Sequence, residues 1–234
     1  MKKIKQLIVK FTVWLASFLY RGVKYKSDSN SEEVKVNLGC GLRCLPDWIN
    51  VDGSLTSLFG SKRFRFINKL LYTFAGSSEY YSFDQYNEIV QKNKLKFYDL
   101  KKGVPVADNN ADFMYASHFI EHLTKRDGKI FMKECYKKLK KGGVLRIAVP
   151  NLDVAFEMYK NGDTEKMLDL FFYTSDIFDF SAHKYNYNSK LIKKILSDIG
   201  FKNIVKTEYQ LGKCPNIDFL DIYPEHSLYI ECVK

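Results

Sequence analysis

Four short apolar segments and the residues at their ends constrain this chain more than any other feature. VKVNL (34–38) runs straight into Gly39-Cys40-Gly41, and WINVD (48–52) ends on Asp52 with Gly53 behind it. LKFYDL (95–100) ends on Asp99 and Leu100, and ADFMYAS (111–117) ends on Ser117 with His118 next. Each segment has the length and the β-branched or aromatic content of a buried strand. FIEHLTKRDGKIFMKECYKKLK (119–140) is predicted as a helix with Phe131, Cys135 and Leu139 on one face, stopped by Gly142-Gly143. VLRIAVP (144–150) is a fifth strand. SKLIKKILSDIG (189–200) is a helix with a glycine C-cap, and FKNIVKTEY (201–209) and HSLYIECVK (226–234) are two final strands.

Alternating strands and helices predict an α/β, Rossmann-like doubly wound, mostly parallel seven-stranded sheet. A loop without a helix joins the last two strands, so the final one is expected to be antiparallel. Ligands of such sheets bind at the carboxyl ends of the strands. The two glycines allow close backbone approach. Asp52 is suited to accept two ribose hydroxyls, and Asp99 an exocyclic amine. Together they fit an adenosine-containing ligand. A pyrophosphate fits poorly. Cys44 stands where a dinucleotide fingerprint needs its third glycine, and 10 residues between Gly41 and Asp52 leave no room for a long helix.

VNLGCG, NVD, FYDLKKGVPVADNNADFMYASHFIEHL and LKKGGVLRIAVPNLD together resemble class I S-adenosylmethionine-dependent methyltransferases, most nearly those of bacterial surface-polysaccharide gene clusters. The resemblance covers residues 34–234, more loosely over 55–94. It implies S-adenosylmethionine as cofactor, with Asn37, Leu38, Gly39, Cys40 and Gly41 around its methionine portion. It further implies Asp52 and Gly53 at the ribose, Asp99 and Leu100 at the adenine, and Ser117 and His118 beneath the sulfonium. Asn37 replaces an acid common in that family, and Arg43 replaces a third glycine and is placed to reach the cofactor carboxylate.

Methyl transfer to a hydroxyl needs a proton acceptor, and imidazole is suited to that near neutral pH. His122 and His183 are the candidate catalytic residues; His226 is read as structural. His118, Glu121 and His122 fall at i, i+3 and i+4, on one face of the expected helix. With no metal, Glu121 and His122 would hydrogen-bond backbone. The alternative is a divalent-metal site made of His118, Glu121, His122 and His183, as in some RNA methyltransferases.

Residues 1–26 carry seven of the ten net positive charges and no acid, which argues against nucleic acid as a partner of the domain. Their pattern predicts a basic amphipathic helix. Lys3, Gln6, Lys10, Ser17, Arg21 and Lys24 form a polar stripe opposite Ile4, Leu7, Ile8, Phe11, Leu15, Phe18 and Leu19. The apolar run is too short to span a bilayer, and no small-residue cleavage site follows it. The expectation is an interfacial helix on an anionic membrane, or a helix docked on protein. Residues 27–33 follow as a linker, then the methyltransferase domain at 34–234, with 55–94 and 152–187 as cover and acceptor insertions. Five scattered cysteines without a CxxC point to a reducing, cytoplasmic compartment. The expected activity is O-methylation of a sugar in a surface glycan or its lipid-linked precursor, at the inner face of the cytoplasmic membrane. RNA 2′-O-methylation and a non-catalytic, cofactor-binding role in glycan assembly are the alternatives.

Overall fold

A computed structural model describes residues 2–27, 32–60, 63–74, 77–173 and 182–234. The chain divides into two compact units, residues 1–107 and 108–234. Of the seven strands, three belong to the first unit and four to the second.

In the first unit, helix α1 (Lys2–Leu19) is shorter than the 1–26 segment expected from sequence. A turn follows, and Tyr25 donates from its backbone N–H to Pro105 O (2.7 Å) and from its hydroxyl to Phe97 O (2.7 Å). The helix rests on a narrow strip of small residues, Val9, Ala16 and Ser17, which are buried. Ser17, assigned to the polar stripe from sequence, is thus inside, where its carbonyl accepts from Lys102 Nζ at 3.0 Å. The broad face made by Leu7, Ile8, Phe11, Trp14, Leu15, Phe18 and Leu19 is exposed.

Strands β1 (Lys35–Leu38), β2 (Ile49–Asp52) and β3 (Leu95–Phe97) lie in the order β3-β2-β1, all parallel, with Asn37 opposite Asn50 and Asp52 opposite Phe97. Between β2 and β3 come α2 (Leu55–Phe59), α3 (Arg65–Phe74) and α4 (Phe83–Lys92). A reciprocal capping box between Ser82 and Gln85 starts α4. Much of the aromatic content of 55–94 serves a local core: Tyr86 is buried with Leu71 and Val90, and Tyr72, Tyr81 and Phe83 pack around them.

In the second unit, β4 (Ala111–Ser117) matches its predicted bounds. The helix expected over 119–140 is broken. A 3-10 turn at Ile120–His122 comes first, and α5 (Lys125–Lys138) begins only after Thr124, whose hydroxyl accepts from Asp127 N–H. The helix also ends before the glycine pair. Gly142 and Gly143 lie inside β5 (Leu139–Pro150), which starts five residues earlier than predicted. Next come α6 (Leu152–Lys160), α7 (Thr164–Phe172), α8 (Ser189–Ile199), β6 (Lys202–Thr207), α9 (Ile217–Leu220) and β7 (Ser227–Val233). Gly200 closes α8 at φ +120°. The strand order is β4-β5-β7-β6, with β4 and β5 parallel and β7 antiparallel to both neighbours as expected, although the β6–β7 connection, read from sequence as free of helix, contains the one-turn α9.

Candidate functional site

In the first unit the residues between β1 and β2 form a braced turn. Gly39 and Gly41 adopt φ of +70° and +53°, a region L side chains enter only at a cost. Gly39 and Cys40 N–H both donate to Val51 O, at 2.9 and 3.1 Å. A Cβ on Gly41 would meet nothing within 4 Å, so this part of the backbone faces open space. Asp52, at the end of β2, reaches back to the turn. Its Oδ2 accepts from Gly41 N–H (3.1 Å) and its Oδ1 from Ser54 N–H (2.8 Å). A carboxylate offers about four lone-pair sites, so both oxygens retain capacity for a diol. A Cβ at Gly53 would stand 3.5 Å from Tyr98 O. Asp99 caps the 3-10 turn at Leu100–Lys102 through Lys101 N–H, and Leu100 is buried.

Asn37 and Leu38 are buried in β1. The Asn37 amide donates to Arg43 O at 2.8 Å and lies 3.4 Å from Asn50 Oδ1, while Asn50 in turn bonds Leu45 and Trp48. These two asparagines fix the loop from inside, a role the sequence did not reveal. Cys40 and Cys44 are buried with their sulfurs 3.9 Å apart.

In the second unit the end of β4 turns sharply. His118 takes φ +47° and bonds Ala148 O through its N–H. Its ring lies edge-on to Tyr223, and its Nε2 is 2.9 Å from Ser227 Oγ. Ser227 spends its hydroxyl proton on Ile222 O, so Nε2 of His118 is the donor. The Ser117 hydroxyl is buried without a hydrogen-bond partner.

Because 120–122 is a 3-10 turn, His118, Glu121 and His122 do not share a helical face as expected. Glu121 is nevertheless brought to His122 and His183. Its backbone carbonyl accepts from Lys184 and Tyr185 N–H, at 2.7 and 3.2 Å, which ties the 183–185 segment to the turn. One ligand atom each from Glu121, His122 and His183 lies within 4.8 Å of the others, and His118 falls outside this group. His183 stacks on Tyr173 and directs Nδ1 at Leu170 O (3.0 Å); His122 directs Nδ1 at Ala182 O (3.4 Å). Burial holds the His183 imidazole below its ordinary pKa despite the nearby Glu121 carboxylate. Burial alone would raise Glu121, but His118 and then His122 outweigh it and keep the carboxyl below its usual range. Residues 174–181 of the expected acceptor lid lie outside the described residues. The roles of Tyr223, Ser227 and Tyr173 around the histidines had no signal in the sequence, since each depends on contacts made across the fold.

Residues 71–147, 77 of the 234, match the family model described as a methyltransferase domain. That span includes Asp99, Leu100, Ser117, His118, Glu121 and His122, and excludes the glycine turn and Asp52. Among solved structures, the fold is similar to a methyltransferase of Thermotoga maritima described as S-adenosylmethionine-dependent and a possible histamine N-methyltransferase. The two share 17% identity over 99% of this chain and 93% of that one, at a TM-score of 0.49. A possible exported protein of Bordetella parapertussis shares 9% over 95% and 67%, at 0.50. An S-adenosylmethionine-dependent methyltransferase of Archaeoglobus fulgidus shares 16% over 100% and 95%, at 0.45. Such identities concern the fold alone. No curated protein matches the chain in sequence. The methyltransferase-domain match falls on β3, β4 and most of β5, and supports an S-adenosylmethionine-dependent methyltransferase.

Proposed function

We propose that this enzyme methylates a sugar hydroxyl of a surface glycan, or of its lipid-linked precursor, while seated on the inner face of the cytoplasmic membrane. The observation that carries the membrane part is the exposed apolar surface of the first unit. Trp14 and Phe18 of α1 are each 63% exposed, and Phe59, Phe66, Leu70 and Phe74 of α2 and α3 are exposed as well. An apolar groove of about 200 Å³ runs between these helices, lined by Ile8, Val9, Leu55, Phe59, Leu71 and Phe74 among others. Lys10, Arg63 and Lys69, all exposed, belong to the same helices or their edges. An apolar face with basic residues around it is the composition that binds anionic bilayers. Among the described residues no helix is long and apolar enough to cross a membrane, so the mode proposed is peripheral. Flotation with vesicles containing anionic lipid tests it on the full chain. Trp14→Glu with Phe18→Glu is expected to abolish flotation without lowering the melting temperature, because both side chains are exposed. Undiminished flotation of that variant would remove the membrane from the reading.

S-adenosylmethionine supplies an electrophilic methyl group and leaves as a neutral thioether. The chain's own task is to hold the donor at residues 39–41, 52, 99 and 100, to orient the acceptor hydroxyl, and to take its proton. We assign the proton to the His122–His183 pair. With each Nδ1 facing a backbone carbonyl, the Nε2 lone pairs remain for it. Gly41→Ala tests the turn. The fold is expected to lose about 1 kcal/mol, the cost of a left-handed alanine, because the added methyl meets no protein atom. Cofactor affinity, read by calorimetry, is expected to fall by more than that strain explains. An affinity equal to wild type would place the donor elsewhere. Transfer of a labelled methyl group to lipid-linked glycan extracts, set against bulk RNA, then tests the acceptor class.

A further inference from the structure

Glu121 is fully buried, and neither of its carboxylate oxygens has a hydrogen-bond partner. Leaving a carboxylate in that state is costly unless a cation accompanies it. The nearest basic group is His118 Nδ1, 3.5 Å from Oε1. His118 spends Nε2 on Ser227, and its Nδ1 makes no hydrogen bond to the carboxylate. The other neighbours are two further imidazoles, His122 and His183.

These two rings are set up as ligands. Each turns Nδ1 to a backbone carbonyl, at Ala182 and Leu170, which is how proteins fix the tautomer and the orientation of a histidine whose other nitrogen binds a metal. The carboxylate and the two rings are held together by main-chain bonds from Lys184 and Tyr185 to Glu121 O, not by surface loops alone. Nitrogen and oxygen ligands bond first-row divalent ions at about 2.0–2.2 Å, so two ligands of one ion stand at most about 4.4 Å apart. The present spacing, within 4.8 Å, closes to that by small side-chain torsions.

We propose that Glu121, His122 and His183 form a two-histidine, one-carboxylate site for a divalent first-row transition metal. Three protein ligands leave coordination positions open for water or a hydroxyl group. The proposal rests on the reading above for its purpose and changes the role of the two rings: a bound ion takes the Nε2 lone pairs assigned there to the proton, and a hydroxyl bound to a divalent ion gives up its proton to solvent more readily than a free one.

The test is metal binding by the chelator-treated full chain, with neither cofactor nor acceptor present. Equilibrium dialysis against Zn²⁺ is expected to retain one equivalent. Co²⁺ in its place is expected to give visible d–d absorption without a thiolate charge-transfer band, since all five cysteines are buried and none belongs to the group. Glu121→Gln, which keeps the shape and removes the charge, and His183→Ala are each expected to weaken binding by about tenfold or more and to abolish the rise in melting temperature caused by Zn²⁺. Circular dichroism confirms that both variants are folded. No retained metal in the wild type, or retention in both variants equal to the wild type's, overturns the site. Methyl transfer is not read in this experiment. A chain that binds the ion and methylates nothing keeps the site and loses the function proposed for it.

Discussion

Arg146→Ala is expected to be the most damaging single substitution in the second unit, lowering stability by about 3–5 kcal/mol. Arg146 is 0% exposed in the middle of β5. Its guanidinium donates to both oxygens of Asp221, to Glu231 Oε1 at 3.1 Å, to Thr207 Oγ1 at 2.9 Å and to the carbonyls of Glu208 and Leu211. The two carboxylates are buried too. Asp221 also accepts from Gln210 N–H and Tyr115 OH, and Glu231 from the N–H groups of Lys213 and Cys214. Removing the arginine leaves two buried negative charges facing each other with only neutral donors. Lysine would not restore the arrangement, because a single ammonium cannot span two carboxylates and three neutral acceptors in a planar fork. The same network explains Gly212: a Cβ there would stand 2.2 Å from Glu231 Oε1 and 2.7 Å from Arg146 Nη1, so Gly212→Ala is expected to push the pair apart and destabilise in the same direction. Urea denaturation of the three variants measures this. A loss under about 1 kcal/mol for Arg146→Ala, the range of an exposed ion pair, would mean that the carboxylates find other partners.

That network was not legible in the sequence, and the reason is instructive. Arg146 sits in an apolar run, LRIAV, where nothing local marks it as buried; its partners lie 75 and 85 residues away. Strand content, by contrast, was legible because it is local. VKVNL, WINVD and ADFMYAS show their buried faces in the chain itself, and the glycine turn after β1 needs φ values that only its own residues reveal. The break before α5 was local as well. Thr124 followed by Asp127 is a plain N-cap pattern, but the helical spacing of His118, Glu121 and His122 masked it. Exposed against buried surface on α1 could not be read from amphipathicity alone. The moment finds an apolar face, whereas the face actually packed was the narrower one with small residues, Val9, Ala16 and Ser17, since these allow the closest approach. The sequence grouped His118, Glu121, His122 and His183 as an alternative on helical spacing, whereas the structure brings together Glu121, His122 and His183 without His118, through the main-chain ties of Lys184 and Tyr185.

Asp52→Ala is expected to lower affinity for S-adenosylmethionine and S-adenosylhomocysteine by roughly 100-fold, the worth of about 3 kcal/mol in hydrogen bonds to a charged acceptor. The side chain has two duties, and the experiment must separate them. In the structure it already accepts from Gly41 and Ser54 N–H, so part of any effect comes from a loosened turn. Asp52 is only half-buried, and losing these two bonds is expected to cost about 1–2 kcal/mol of stability. Asp52→Asn distinguishes the duties. An amide offers one accepting oxygen and two donors. It can still take one backbone N–H, but it cannot accept two hydroxyls as well as two amides. If Asp52 holds the ribose, Asp52→Asn recovers most of the stability and little of the affinity. If Asp52 only braces the turn, melting temperature and affinity recover together. Calorimetric titration and thermal melts on the same preparations therefore decide whether this aspartate binds the donor or merely shapes the loop beneath it.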